Sequence, residues 1–409
     1  MPQLLNVLPP RQAWLKLEPH LSAIGRVEAV ATAEAMGRVV AEDMVAPGDL
    51  PFFPRSTMDG YAVRAEDTYG ASEGLPAYLR VVGEVRMGSP ADIVVGPGEA
   101  VLIHTGGMLP GNADAVVMVE NTREVDSSTI EVVRPAARGE NVLQVGEEVR
   151  KGDLLLPAGS IVRAQEIGGL LSQGITEITV LQRVKVGLIS TGDELVPPEE
   201  VPQPGQVRNT NAYTLAALAF KAGAIPLRLG IMRDDREALV QAARDGLRQA
   251  DIVVISAGSS ASARDMTADV IRSLGEPGVL VHGVALRPGK PTILGVVNGK
   301  PIFGLPGNPS SAMVTFELFV TPCIYRLSGC RQPLRRFVKA RLTRNIASAA
   351  GREDYVPVKL HEQDGEMLAE PVFGKSNLLS NMMRADGMAQ VPLDRNGLAE
   401  GESALVIPF

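Results

Sequence analysis

The chain has 409 residues, too many for a single hydrophobic core, and that length points to two or three domains. Hydrophobic residues make up 45% and charged residues 21%, which excludes bulk disorder, and 4% aromatics exclude a nucleic-acid surface built on stacked rings. A net charge of −7 favours solubility and leaves no footprint for DNA or RNA, yet it permits a local basic pocket for an anionic small molecule.

The N-terminus, MPQLLNVLPP, lacks a basic n-region and its apolar stretch meets Pro9-Pro10, so no signal peptide is expected. The segment after it reads as helix. Pro10 suits a first-turn position, and Ala13, Trp14, Leu17, Leu21 and Ile24 recur at helical spacing. A second short helix is expected around Ala33 to Gly37. Residues 45–64, VAPGDLPFFPRSTMDGYAVR, are punctuated by Pro and Gly and end in a β-like run. From about 76 to 134, the runs AYLRVVGEV, EAVLIHTG, ADAVVMVE and STIEVVRP alternate with turn residues, as in a small antiparallel sheet or barrel. The stretch 139–182 carries a helix from about Ala164 to Gln173.

Residues 183–330 have a different grammar. VKVGLIS is a continuous apolar run, typical of a strand buried on both faces. NAYTLAALAFKAG reads as helix, with Asn211 as N-cap and Gly223 as its stop. IPLRLGIM is a strand, and DDREALVQAARDGLRQA a helix with capping-box-like spacing of Asp234 and Glu237. DIVVISAG is a strand and DMTADVIRSLG a helix. VLVHGVALRPGK and TILGVVNGKPIFGLPG supply further strands, with Asn298-Gly299 as a hairpin turn. A long helix follows PGNP at 306–309, with Cys323 and Cys330 near its end. Strand–helix alternation of this kind predicts an open, mostly parallel α/β sheet, which binds ligands at the carboxyl ends of its strands. The last part returns to β text: FVKARLT, YVPVKLHEQDGEMLAEPVF, MAQVPLD and SALVIPF, with Asp364-Gly365 as another hairpin turn.

Two cysteines are too few for a disulfide framework, so a reduced, cytoplasmic protein is expected. The four histidines are scattered and no His/Cys cluster has zinc spacing. No apolar run approaches the roughly 20 residues that span a bilayer, so neither membrane nor nucleic acid is expected as a partner.

Four loops of the α/β part fall where a ligand should bind. STGDEL (190–195) follows the first strand with a hydroxyl pair, a Gly and two carboxylates. SAGSSASARD (256–265) follows the third strand, with small residues that admit a ligand to the backbone and Asp265 at its end. RPGKP (287–291) sets two cations on a loop stiffened by two prolines. LPGNPSSA (305–312) ends a strand and opens a helix, with Pro309 in the first turn and two serines among exposed N–H groups. Each loop alone has an ordinary reading as a turn, a solvated surface or a helix start. Their convergence on the strand ends of one sheet suits a phosphorylated ligand with a divalent metal.

STMDGYAVR (56–64), HTGGMLP (104–110), STGDELV (190–196), LRPGKPT (286–292) and LPGNPSSA (305–312), in this order, resemble the signatures of the MoeA family, the molybdopterin molybdenumtransferases. The likeness runs from about residue 8 to the end. It implies a multidomain α/β plus β fold and an elongated homodimer. A discontinuous helical domain would comprise 1–45 and 140–182, and a β-rich insertion 46–139. An open, mostly parallel, MogA/MoaB-like domain that binds molybdopterin would span 183–330, and a C-terminal β-barrel 331–409.

The reaction implied by the resemblance is insertion of molybdate into adenylylated molybdopterin, with release of AMP and assistance by Mg²⁺. Carried over residue by residue, Asp59, Glu194, Asp265 and Lys290 are the catalytic positions, and Glu194, Asp234 and Asp265 the metal ligands. Arg287 and Lys290 form the basic pair beside the oxyanion, and Arg352 and Ser376 complete the molybdate pocket. The remaining substrate-binding positions are Thr105, Thr191, Gly192, Ser256, Gly258, Pro291, Gly307, Asn308, Pro309 and Ser311. Asp59 and Thr105 belong to the part that reaches the partner subunit's site in this family. Besides a second copy, the resemblance implies a molybdopterin adenylyltransferase and molybdoenzyme chaperones as partners. Arg287 stands where many members have Lys, and Ser259 and Ala263 where many have Gly; Arg and Lys are not equivalent donors. The competing readings are a molybdopterin adenylyltransferase and a non-catalytic scaffold of the same fold.

Overall fold

The computed structural model describes residues 7–258, 261–331, 337–375 and 377–409, the side chains of 261–264 excepted. Contacts divide the chain into two compact units. One comprises Met1–Glu42, Gly159–Arg163 and Glu177–Phe409, the other Asp43–Ala158 and Ala164–Thr176.

The larger unit is built on a six-stranded sheet: β1 (Lys185–Thr191), β2 (Ile225–Met232), β3 (Ile252–Ala257), β4 (Pro277–His282), β5 (Ile293–Val297) and β6 (Lys300–Pro306). Their order is β2-β1-β3-β6-β5-β4. The first four strands in that order run parallel, and only β5 runs against its neighbours. The helices between them are α1 (Asn211–Lys221), α2 (Arg236–Gln249) and α3 (Ala261–Leu274), with α4 (Pro309–Thr315) after β6. The apolar runs of the sequence are unbroken because both sheet faces are covered. Ile252 and Val254 of β3 face a core with Leu215, Ala219 and Ala312, whereas Val253 and Ile255 face one with Leu239, Ala243 and Ala268. Parallel running then brings the carboxyl ends of β2, β1, β3 and β6 to one edge, where α4 starts. The helix begun by α4 continues through a π-helical turn, Phe316–Val320, into Thr321–Leu327.

In the same unit, Val338–Leu342, Glu353–Gln363, Glu366–Pro371, Gly387–Val391 and Ser403–Pro408 close into a five-stranded barrel. Ala340, Leu342, Val358, Ala369, Val391 and Val406 fill it. A two-residue parallel pairing of Leu286–Arg287 with Glu353–Asp354 stitches the RPGKP loop to the barrel.

The other unit holds a six-stranded sheet in the order Ala115–Met118, Gly60–Val63, Glu99–Ile103, Ala77–Val85, Thr129–Val132, Thr122–Asp126. It is mixed, not purely antiparallel, because Ala77–Val85 and Glu99–Ile103 pair in parallel. Helix Ala164–Ser172 belongs to this unit.

Local chemistry alters several expected elements. The first helix, Pro10–Leu17, stops early, and the chain tightens into a 3₁₀ turn at Glu18–His20, because Pro19 cannot extend the hydrogen-bond ladder. Around Ala33 there is only a 3₁₀ turn, Thr32–Glu34. Both hairpin turns have the expected left-handed pairs, Asn298-Gly299 (φ 49° and 81°) and Asp364-Gly365 (φ 52° and 78°).

Candidate functional site

Thr191 ends β1, is buried, and donates its hydroxyl to Asp234 Oδ1 at 2.8 Å. The Gly192 N–H donates to the Met232 carbonyl at 3.1 Å, which clips the STGDEL loop to the end of β2. Glu194 folds back over this loop, so that a Cβ on Gly192 would stand 2.6 Å from Glu194 Oε2. The Asp234 N–H in turn donates to Asp193 Oδ1 at 3.3 Å. Asp234 is therefore not the cap of α2. Asp235 is, accepting from the Ala238 N–H at 2.7 Å, and this leaves the Asp234 carboxylate at the strand ends.

At the ends of β3 and β6 the organiser is Asn211. It is not the N-cap of α1, a place held by Thr210. Its Nδ2 instead donates to Ser256 Oγ at 3.0 Å and to the Gly307 carbonyl at 2.8 Å. Gly307 is required there, since a Cβ would lie 2.7 Å from the Ala257 carbonyl oxygen and 3.2 Å from Gly258 Cα. Ser190 Oγ donates to Asn209 Oδ1 at 3.1 Å, which adds β1 to the same polar layer.

Beside this layer a cavity of about 600 Å³ opens between the RPGKP loop, the start of α4 and the barrel. The loop is shaped by Gly289 (φ 117°), where a Cβ would overlap Thr315 Cγ2 and Leu286 Cδ1. Arg287, Lys290, Arg352 and Lys375 line the cavity, with Pro291, Asn308 and Ser311. Among the described lining residues the one carboxylate is Asp354, so four cations leave an excess of three positive charges. Such a wall suits a dianion.

In the other unit, Asp59 Oδ1 accepts from the Thr105 N–H at 2.8 Å and from Thr105 Oγ1 at 3.2 Å. These bonds, the backbone one foremost, hold the Asp59 carboxyl below its usual range. His104 adds to the effect; its Nδ1 is 4.0 Å from Asp59 and its Nε2 2.9 Å from Glu84 Oε1.

This chain is 38% identical to a putative molybdopterin biosynthesis protein of Methanocaldococcus jannaschii, with 97% of each chain covered. A molybdopterin molybdenumtransferase of Bacillus subtilis is 34% identical, with 95% of this chain and 91% of that one covered. The chain belongs to the MoeA family. The MoeA N-terminal region (domain I and II) matches residues 8–174, the probable molybdopterin binding domain 187–326, and the MoeA C-terminal region (domain IV) 339–409. A crystal structure of a molybdopterin biosynthesis MoeA protein from Pyrococcus horikoshii OT3 superposes with a TM-score of 0.86 at 32% identity, covering 99% of this chain and 100% of that one.

Within this MoeA-family chain, Arg287, Lys290, Pro291, Asn308, Ser311 and Arg352 share one cavity. Thr191, Gly192, Glu194 and Asp234 gather at the end of β1, and Ser256, Gly258 and Gly307 form the layer beside them. Pro309 opens α4, and Asp265 lies exposed in α3. Asp59 and Thr105 are bonded to each other in the other unit. Ser376 and Ser259 lie outside the described residues, as does the side chain of Ala263.

No motif in the sequence singles out Asp354, Lys375 or the amide of Asn211. Asp354 had a signal: it stands two residues after Arg352 at the start of a strand, and alternation puts such residues on one face. Burial pushes the Cys323 thiol well up. Among the described residues no three His, Cys, Asp or Glu side chains converge as a ready-made metal cage. The oxygen-only donors at the end of β1 nonetheless fit Mg²⁺, which takes one or two carboxylates and fills its shell with phosphate oxygens and water. No helix among the described residues is long and apolar enough to cross a membrane.

Proposed function

We propose that this chain is a molybdopterin molybdotransferase of molybdenum cofactor biosynthesis, inserting molybdate into adenylylated molybdopterin with release of AMP. The observation that carries the reading is the cavity of about 600 Å³ whose Arg287, Lys290, Arg352 and Lys375 face Asn308 and Ser311 beside the strand-end loops. The cations hold the oxyanion, and the serine hydroxyls and the N–H groups of the first turn of α4 orient it. The polar layer of Asn209, Asn211 and Ser256 fixes the loops around the phosphorylated pterin. Glu194 and Asp234, with Asp265, would hold Mg²⁺, and when bound that ion supplies Lewis-acid charge neutralisation at the phosphoanhydride. Full-length likeness to named molybdenumtransferases favours this activity over pterin adenylylation.

The proposal includes a cytoplasmic homodimer with composite sites, to which Asp59 and Thr105 contribute, and the four-part division at residues 45, 139, 182 and 330. Asp59 suits a charge-bearing role, because an aspartate is ionised at neutral pH and the bonds from Thr105 orient its carboxylate and lower its pKa further. The test is direct. Purified chain given adenylylated molybdopterin, Mg²⁺ and molybdate should release AMP stoichiometrically with molybdenum uptake. Molybdopterin plus ATP yielding adenylylated pterin, with no AMP release on adding molybdate, would replace this reading with the adenylyltransferase one.

A further inference from the structure

Among the described lining residues Asp354 is the one buried charged side chain, with 3% of its side chain exposed against 63% for Arg287 and 36% for Arg352. Its Oδ1 accepts from Arg352 Nε at 2.9 Å and its Oδ2 from Arg352 Nη2 at 3.4 Å. The same Oδ2 stands 3.7 Å from Arg287 Nη1. One carboxylate is therefore hydrogen-bonded to the Arg352 guanidinium of the barrel and within ion-pair distance of the Arg287 guanidinium of the RPGKP loop. The parallel stitch pairs Arg287 with Asp354, so the two side chains start from neighbouring backbone positions in register. Because Asp354 takes the Nε–Nη2 edge of Arg352, the Nη1 edge is left for a ligand. An arginine pair drawn to one buried carboxylate is biased toward a set separation, whereas a lysine at 287 would present a point charge on a flexible stem.

We propose that Asp354 is a positioning residue that sets the span between the Arg287 and Arg352 guanidiniums and so makes this cavity select a large tetrahedral oxyanion, molybdate, over the smaller sulfate. The inference rests on the cavity being the oxyanion site. It departs from plain electrostatics in sign. If Asp354 acted only through its charge, removing that charge would make the wall more positive and tighten every dianion.

The test is calorimetric titration of the full chain with sodium molybdate and, separately, sodium sulfate at fixed ionic strength. Molybdate should bind the wild type more tightly than sulfate. Asp354→Asn should weaken molybdate about tenfold or more, the scale of a lost charge-assisted bond, and weaken sulfate less, so that the selectivity ratio falls. In turnover the loss should appear in KM for molybdate more than in kcat. Asp354→Glu, which keeps the charge at a longer reach, should restore part of the affinity but not the full ratio. If Asp354→Asn does not fold, Arg287→Lys tests the same span with the charge kept, and the ratio should fall again. Unchanged ratios in the folded variants, or tighter molybdate in Asp354→Asn, would overturn the role of Asp354 while leaving the cavity's function standing. A wild type that binds neither anion would remove the cavity reading, and this inference with it.

Discussion

Gly307→Ala is the sharpest structural test of the strand-end layer. The added Cβ would meet the Ala257 carbonyl oxygen at 2.7 Å, the Ala257 carbonyl carbon at 3.3 Å and Gly258 Cα at 3.2 Å. All three are backbone atoms of β3 and its loop, so no flexible side chain can swing aside. Restoring an ordinary contact of 3.4 Å requires the ends of β3 and β6 to part by about 0.7 Å. Taken along the 2.8 Å bond from Asn211 to the Gly307 carbonyl, that shift stretches it to about 3.5 Å, beyond the ordinary length of such a bond, and it strains the partner bond to Ser256. Overpacking of this kind costs about 1–3 kcal/mol, which lowers the Tm of a domain this size by several degrees. Function should suffer more than stability. Gly307 leads directly into Asn308 and Ser311 of the cavity, and a displacement near 1 Å costs on the order of a hundredfold in rate. Differential scanning calorimetry and AMP release, measured on one preparation, give both numbers. A Gly307→Ala chain with wild-type Tm and wild-type turnover would refute the claim that this backbone approach shapes the site.

Thr105→Ala removes the second largest cause of Asp59's lowered pKa but keeps the first, the backbone bond, so the carboxyl should move only part of the way back toward 3.8. Carbon-13 NMR titration of Asp59 checks this. Because the pKa is lowered on folding, the linked stabilisation is present above the unfolded value and lost as pH falls through the folded one, and the variant should show less of that acid-side loss. Lys290→Ala should leave Tm within about a degree, since Lys290 is exposed on its loop, and raise the molybdate concentration needed for half-maximal turnover. A fall of several degrees with normal molybdate response would make Lys290 structural. Mixing an Asp59→Asn chain with a Glu194→Gln chain should regain activity if sites are composite, because some mixed dimers then hold one intact site. Persistent inactivity after verified subunit exchange would oppose the composite dimer.

Much of the α/β sheet could be read from the sequence, because its signals are local. Continuous runs such as IVVISA mark strands covered on both faces, and Asn-Gly and Asp-Gly need only their own left-handed backbone to form turns. The failures were non-local. The parallel pairing of Ala77–Val85 with Glu99–Ile103 depends on register across the sheet, which alternation alone does not encode. Asn211 and Asp234 carry good capping chemistry, but the ends of β3 and β1 offered them partners that the sequence does not place nearby, and the adjacent Thr210 and Asp235 took the helix starts. The cavity was foreshadowed by RPGKP and PGNP. Its fourth cation, Lys375, sits in a loop between barrel strands outside both of these motifs, next to Ser376, and the closed barrel brings it to the cavity that Arg287 lines.

The most direct test of the central claim is anomalous diffraction at the molybdenum edge from crystals of the full chain soaked with molybdate. A single strong peak inside the cavity, within hydrogen-bonding distance of the Arg352 and Arg287 guanidiniums and of Ser311, is the predicted result. A bound molybdate found elsewhere, with the space between RPGKP and the start of α4 filled only by water, would contradict it.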